Sequence, residues 1–285
     1  MPARAKINLS LDVLRKREDG YHELRMIMQT IELHDMIRLE TTEGGSIVLE
    51  CDSEWVPADE RNTAWKAAKL FMEHCRIKSG LRIVINKRIP TAAGLGGGSA
   101  DAATVLRGLN KLFSIGLDHF ELRKLGKMVG ADVPFCVEGG TMLAEGIGEH
   151  LTPLRDFSGV DIVLVRPNIG ISTKWVYENL KAAQISQSDR PDTEALIRFL
   201  DAGDIASVAA NMKNVLELVT IPHYAIIQEA KDSLLRAGAV GSVMSGSGPT
   251  VFGIFTEKSA ASKALNRLES ETRWQCFQTK TCSAS

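Results

Sequence analysis

Pro90-Thr91-Ala92-Ala93-Gly94-Leu95-Gly96-Gly97-Gly98-Ser99-Ala100-Asp101-Ala102-Ala103 is the stretch from which the rest of the chain is read. Gly94, Gly96, Gly97 and Gly98 crowd together, and Ser99 follows directly. Glycine has no Cβ and tolerates positive φ, so such a loop lets backbone N–H groups approach a ligand closely. The alanine-rich pattern after it predicts a helix from about Ser99 to Phe113. A helix N-terminus offers free N–H groups and a dipole that favour an anion. Pro90 to Ala100 therefore reads as a phosphate cradle. Two familiar phosphate loops fail on spacing. No lysine precedes Ser99, as G-x-x-x-x-G-K-[ST] requires. Gly94-x-Gly96-x-x-Ser99 nearly matches the dinucleotide fingerprint but lacks its third glycine, and Asp118 downstream reads as a helix cap.

Upstream of the loop, Leu81 to Ile89 alternates as a strand, and Asn62 or Thr63 caps a helix running to about Cys75. The chain opens with Ile7, Leu9, Leu11 and Val13 on one strand face, and Lys6, Asn8, Ser10 and Asp12 on the other. A charged turn covers Arg15 to Gly20, followed by an extended Tyr21 to Ile31. Downstream, Asp118 and Glu121 form a capping box, and Gly130 stops that helix. After Pro167 helical patterns dominate: Ser172 to Ala183, Thr193 to Ala202, Ile205 to Leu218 and Pro222 to Ala237. A second glycine-rich loop, Ser245-Gly246-Ser247-Gly248, leads into a strand at Thr250 to Phe255, with a last strand near Trp274. Without regular βαβ alternation the class is α+β, in two domains expected at 1–155 and 156–285.

The 285 residues suffice for a large core. Lys plus Arg number 34 and Asp plus Glu 35, a net charge of −1 that argues against a nucleic-acid binder run on bulk electrostatics. The five cysteines form no C-x-x-C pair, which disfavours a disulfide framework or structural zinc. No apolar run is long enough for a membrane span, and Met1 to Lys6 lacks a signal-peptide core. A cytoplasmic location is expected.

Lys6 alone is an ordinary surface lysine on a strand. Asp132, in Gly130-Ala131-Asp132-Val133-Pro134-Phe135, is either a capping carboxylate or a carboxylate beside a reacting hydroxyl. Tyr21-His22 offers a stacking face and a hydrogen-bonding ring that suit a nucleobase, or simply an amphipathic strand edge. Tyr177 would ordinarily be core. The second glycine loop is a turn into a buried strand or a second wall of the phosphate site.

Together, Ala5-Lys6-Ile7-Asn8-Leu9, Asp19-Gly20-Tyr21-His22, Arg61-Asn62, Pro90 to Ala103, Gly130 to Phe135 and Met244 to Gly253 resemble the galactokinase, homoserine, mevalonate and phosphomevalonate (GHMP) kinase superfamily. The motifs stand in the family's order across nearly the whole chain. The resemblance implies a two-domain α+β fold with the active site in the cleft between domains, ATP and Mg²⁺ as cofactors, and Lys6 and Asp132 as the catalytic pair. It implies that Pro90, Thr91, Ala92, Ala93, Gly94, Leu95, Gly96, Gly97, Gly98, Ser99 and Ala100 wrap the ATP phosphates, with Asn62 and Lys87 near the adenine end and Ser99 a possible metal ligand. Asp19-Gly20-Tyr21-His22 singles out members whose acceptor alcohol carries a cytidine diphosphate, with Asn8, Tyr21, His22, Thr173 and Tyr177 around it. Ala100 stands where a second serine is common, and Arg4 replaces a usual proline. The rival readings are a nicotinamide-dependent oxidoreductase, a homoserine or mevalonate class kinase, and a non-catalytic nucleotide or sugar sensor.

Overall fold

The computed structural model describes residues 1–284. Two long strands, β1 (Pro2–Lys16) and β2 (His22–Thr42), open the chain, followed by β3 (Ile47–Cys51) and helix α1 (Thr63–His74). Strand β4 (Gly80–Asn86) leads to helices α2 (Gly97–Leu112), α3 (His119–Val129) and α4 (Val133–Glu138). Strands β5 (Thr141–Gly146), β6 (His150–Pro153) and β7 (Asp161–Arg166) precede helices α5 (Thr173–Asn179), α6 (Thr193–Ala202) and α7 (Ile205–Asn211). The chain then runs β8 (Lys213–Asn214), α8 (Glu217–His223), α9 (Ile226–Arg236) and β9 (Gly241–Met244). It closes with β10 (Val251–Phe255), α10 (Lys258–Glu271) and β11 (Gln275–Lys280).

The architecture is α+β in two compact units. The first unit comprises Met1–Lys6, Leu33–Thr91 and Gly96–Gly139; the second comprises Ile7–Glu32, Ala92–Leu95 and the chain from Gly140 onward. Strands β1 and β2 and the glycine loop each pass from one unit to the other.

In the first unit β2 pairs antiparallel with β4, from Met36 opposite Asn86 to Thr42 opposite Gly80, and β4 pairs parallel with β3. Alternation places Leu81, Ile83 and Ile85 fully inside. They share the core with Ala64, Ala67, Ala68 and Phe71 of α1 and with Val105, Leu106 and Leu109 of α2. Gly108 permits close packing of α2, because a Cβ there would collide with Met1 and lie 2.6 Å from Leu39 Cδ1.

In the second unit β2 pairs with β5 and β5 with β6, both antiparallel, while β8 lies parallel to β1 at Ser10 and Leu11. A separate antiparallel sheet runs β11-β7-β10-β9. Ile162 to Val165 and Phe252 are fully buried. That continuous apolar run fits a strand covered on both faces, and α9 and α10 pack against this sheet.

Helical patterning overreached in three places. The helix expected to Ala183 ends at Asn179, with Leu180 extended. The helix expected over Ile205 to Leu218 breaks at Met212, because Lys213 and Asn214 leave it to pair with β1. Pro222 lies inside α8 instead of opening the next helix. Strand β1 is 15 residues long.

The predicted capping box is present: Glu121 N–H donates to Asp118 Oδ1 at 2.8 Å, and Asp118 N–H donates to Glu121 Oε2 at 3.0 Å. Asp118→Ala should lower stability by about 1 kcal/mol through loss of this cap. Thermal unfolding checks it, with a fall in Tm of about 2–4 °C expected.

Candidate active site

Lys6 stands near the start of β1 and is buried at 5% exposure, so it is not the solvated strand lysine that its sequence context alone suggests. Its aliphatic stem lies under the glycine loop. Gly96 has φ +68°, and a Cβ there would stand 2.9 Å from Lys6 Cγ. Both the left-handed backbone and the close approach require glycine at this position. The Lys6 ammonium lies 3.5 Å from Asp132 Oδ2.

Asp132 precedes α4, where a capping role was the alternative reading. Its side chain makes no capping hydrogen bond, its backbone is αR (φ −84°, ψ −10°), and Pro134 occupies the first turn. The carboxylate is instead partly open, at 32% side-chain exposure, beside a buried ammonium. That geometry can orient or accept a proton from a hydroxyl while a cation stabilises developing negative charge.

Gly96 is the N-cap of α2 and makes no side-chain cap bond. The N–H groups of Gly97, Gly98 and Ser99 occupy the first turn, where helix geometry supplies no carbonyl partner. Thr63 Oγ1 at the start of α1 donates to Gly98 O at 2.7 Å, fixing the loop's far side. A Cβ on Gly94 would collide with the carbonyl of Ser245, so the two glycine-rich loops touch backbone to backbone. Among the described residues no cluster of three His, Cys, Asp or Glu side chains could hold a metal ion. The free N–H groups of this turn fit an anionic ligand, and Ser99, half-buried, places a hydroxyl beside them.

Asn62 and Lys87 are engaged within the protein. Asn62 caps α1, accepting from Ala64 N–H at 2.8 Å and donating to Pro57 O at 2.8 Å. The Lys87 ammonium is ion-paired to Asp35 and lies 2.9 Å from Asp101 Oδ2. Asp35 also accepts from the N–H groups of Arg88 and Ile89 at 2.5 and 2.8 Å. This buried triad lies under the start of α2: a Cβ on Gly97 would be 3.4 Å from Lys87 Nζ. Burial pushes the Asp101 carboxyl up to about 7, with Lys87 opposing the rise and Asp35 adding to it. Asp35 and Asp101 were not singled out from sequence. The available signal was an acid inside an Ala/Val helix face, where an unpaired charge is not tolerated.

In the second unit His22 and Tyr177 come together, with ring centroids 5.1 Å apart and planes tilted by 36°. Burial, and secondarily Lys16, holds the His22 pKa below its usual value, which favours a neutral ring near pH 7. Tyr21 is 58% exposed, with its N–H bonded to Asp19 Oδ1 at 3.1 Å. Thr173 Oγ1 lies 2.7 Å from Ser247 Oγ, tying the start of α5 to the second glycine loop. Asn8 is fully buried, and its Nδ2 donates to Met26 Sδ at 3.3 Å.

Two family signatures match the chain: "GHMP kinases N terminal domain" over residues 62–140 and "GHMP kinases C terminal" over residues 194–272. A 4-diphosphocytidyl-2-C-methyl-D-erythritol kinase of Acetivibrio thermocellus is 57% identical, covering 99% of this chain and 98% of that protein. One of the same name from Caldicellulosiruptor saccharolyticus is 49% identical over 94% of this chain and 92% of its own. Among solved structures, a 4-(cytidine 5'-diphospho)-2C-methyl-D-erythritol kinase is 33% identical, with a TM-score of 0.83 and 99% of both chains covered. A homoserine kinase from Cytophaga hutchinsonii, 20% identical with a TM-score of 0.75, shares the fold over 99% of this chain and 95% of that one. No helix of the described residues is long and apolar enough to cross a membrane.

The raised Asp101 carboxyl sets a sign for pH. Its folded pKa lies above the ordinary value, so its stabilising contribution is present below pH 4 and is lost as pH rises through about 7. The Tm of the wild type relative to Asp101→Asn should therefore fall between pH 4 and 7 and level off above, by at least about 2 °C. Paired thermal melts across that window check it; a difference that does not change with pH would contradict it.

Proposed function

The chain belongs to the GHMP kinases, and from that premise we infer that it moves the γ-phosphoryl group of ATP to the position-2 hydroxyl of 4-diphosphocytidyl-2-C-methyl-D-erythritol, a step of non-mevalonate isoprenoid precursor synthesis. The observation that carries the chemistry is the Asp132 carboxylate, free of capping duty and 3.5 Å from the buried Lys6 ammonium. The likeness to kinases of that name over nearly the whole chain carries the choice of acceptor.

Phosphoryl transfer demands positioning and charge stabilisation more than covalent help from the protein. The N–H groups of Gly97, Gly98 and Ser99, with the α2 dipole behind them, hold the nucleotide phosphates. Mg²⁺ when bound neutralises phosphate charge and keeps several waters, so the Ser99 hydroxyl suffices as a protein contact. Asp132 orients the acceptor hydroxyl and takes up its proton as the hydroxyl oxygen bonds to phosphorus and the bond to the departing ADP breaks. Lys6 balances the negative charge on the reacting oxygens. Asn62 and the Lys87 triad serve the nucleotide end by fixing backbone. The pyrimidine stacks on Tyr21 and Tyr177, with His22 supplying a polar contact and Thr173 lying nearby. Asn8, expected there from the sequence, is fully buried and donates to Met26 Sδ, so it supports the strand and does not touch the base. Five free cysteines suit work in a reducing cytoplasm.

A coupled ADP-release assay with ATP–Mg²⁺ tests the function against three alcohols: the cytidylyl methylerythritol, homoserine and mevalonate. Release with the first alone is expected, and preference for either of the others would overturn the acceptor assignment. Lys6→Ala and Asp132→Ala should each lower kcat by about 10²–10⁴-fold while ATP still binds. Near-normal turnover of purified Asp132→Ala would remove it from the chemistry. Tyr21→Ala should raise the acceptor Kd by the equivalent of about 1–3 kcal/mol of lost stacking, read by titration calorimetry.

A further inference from the structure

The second glycine loop is held from beneath by a residue outside every motif. Asn214, at the end of β8 and 4% exposed, points its carboxamide into the base of the loop. Its Nδ2 donates to Met244 O at 2.8 Å and to Gly246 O at 2.7 Å. Its Oδ1 accepts from Leu216 N–H at 3.0 Å, so the amide group is satisfied on both sides. Glu217 adds a second clamp: Oε1 accepts from Met244 N–H at 2.7 Å, and Oε2 pairs with Lys231 at 2.5 Å.

The loop so held reaches in two directions within its unit. Ser245 Oγ donates to Gly94 O at 3.0 Å, and Thr250 N–H donates to Ala93 O at 3.4 Å, so its base supports the Ala92–Leu95 portion of the first glycine loop. Ser247 Oγ meets Thr173 Oγ1 at 2.7 Å, at the start of the helix that carries Tyr177. We propose that Asn214 is a positioning residue for phosphoryl transfer: its two donated hydrogen bonds fix the second glycine loop, which in turn fixes Gly94 on the phosphate side and Thr173 on the acceptor side. The inference rests on the kinase reading above. It deepens that reading by naming the part that holds the phosphate loop and the acceptor helix in register. At 4% exposure, with its carboxamide engaged by Met244, Gly246 and Leu216, Asn214 acts through the loop. Its loss therefore leaves each ligand's pocket lined as before but loosens the alignment on which the transfer depends, and misplacement of this kind lowers turnover more than binding.

The test uses Asn214→Ala and Asn214→Asp; the aspartate keeps the Leu216 contact and the size but loses both donors. Each should lower kcat about 10–100-fold while both KM values move less than about threefold. Amide hydrogen exchange should quicken at residues 92–95 and 244–249. Ser247→Ala, which cuts only the link to Thr173, should lower kcat less, and combining it with Asn214→Ala should add nothing to the Asn214→Ala defect, because both act through one element. If Asn214→Ala does not fold, Asn214→Asp and Ser247→Ala decide. A folded Asn214 variant with kcat within about threefold of wild type, or with unchanged exchange in both loops, overturns the proposal. Absence of ADP release by the wild type with the cytidylyl acceptor would sink the kinase reading and this inference together. An active wild type beside an undiminished variant sinks this inference alone.

Discussion

The approach of Gly96 to Lys6 is the constraint on which the candidate site turns. A Cβ at Gly96 would stand 2.9 Å from the lysine stem, and the backbone there already has φ +68°. Any other residue would have to lift the loop, displace the lysine, or both. Because Gly96 is also the N-cap of α2, moving it would move the first-turn N–H groups as well. One contact therefore links the charge of β1 to the N-terminal end of α2 and its free N–H groups. Asp132 joins from a third element, and its lack of a capping bond leaves it free to answer the lysine.

Burial sets Lys6 apart from a surface charge. At 5% exposure Lys6 has lost most of its water, whereas Asp132, 3.5 Å away, keeps 32% of its side chain open, so the pair joins a buried cation to a partly accessible carboxylate. The Lys87 triad follows the same rule beneath the same helix. Two carboxylates and one ammonium leave a surplus of negative charge, and the Asp101 carboxyl relieves it by holding its proton up to about pH 7. Such a cluster contributes little net stability. What it does is fix the backbone of Arg88 and Ile89 just ahead of the glycine loop, through Asp35.

What was legible in the sequence followed from local chemistry. The alternation of β1, the capping box at Asp118 and the glycine loop were all readable because each is decided by neighbours a few residues away. The break after Asn211 was not, because Lys213 and Asn214 exchange helix for a parallel pairing with Ser10 and Leu11, about 200 positions upstream. That β1 and β2 each contribute residues to both units is likewise not visible in their alternation. At the site, motif reading reached Lys6 and Asp132 through family resemblance but not Asp35, Asp101 or Asn214. These three act through buried partners, and a buried acid or amide leaves no periodic trace.

The two glycine loops show how one device is made rigid in two ways. Glycine permits the close backbone approach at Gly94 and Ser245, but a glycine-rich chain is also the most costly to order. Something other than the loop's own side chains must hold it. For the first loop that role falls to α2, to Thr63 at Gly98, and to Ser245 at Gly94. For the second it falls to the carboxamide of Asn214 and the carboxylate of Glu217, which together engage the N–H and C=O of Met244 and the C=O of Gly246. The Ser245 contact makes the first loop depend partly on the second. The order of both glycine-rich segments therefore traces back to side chains outside them.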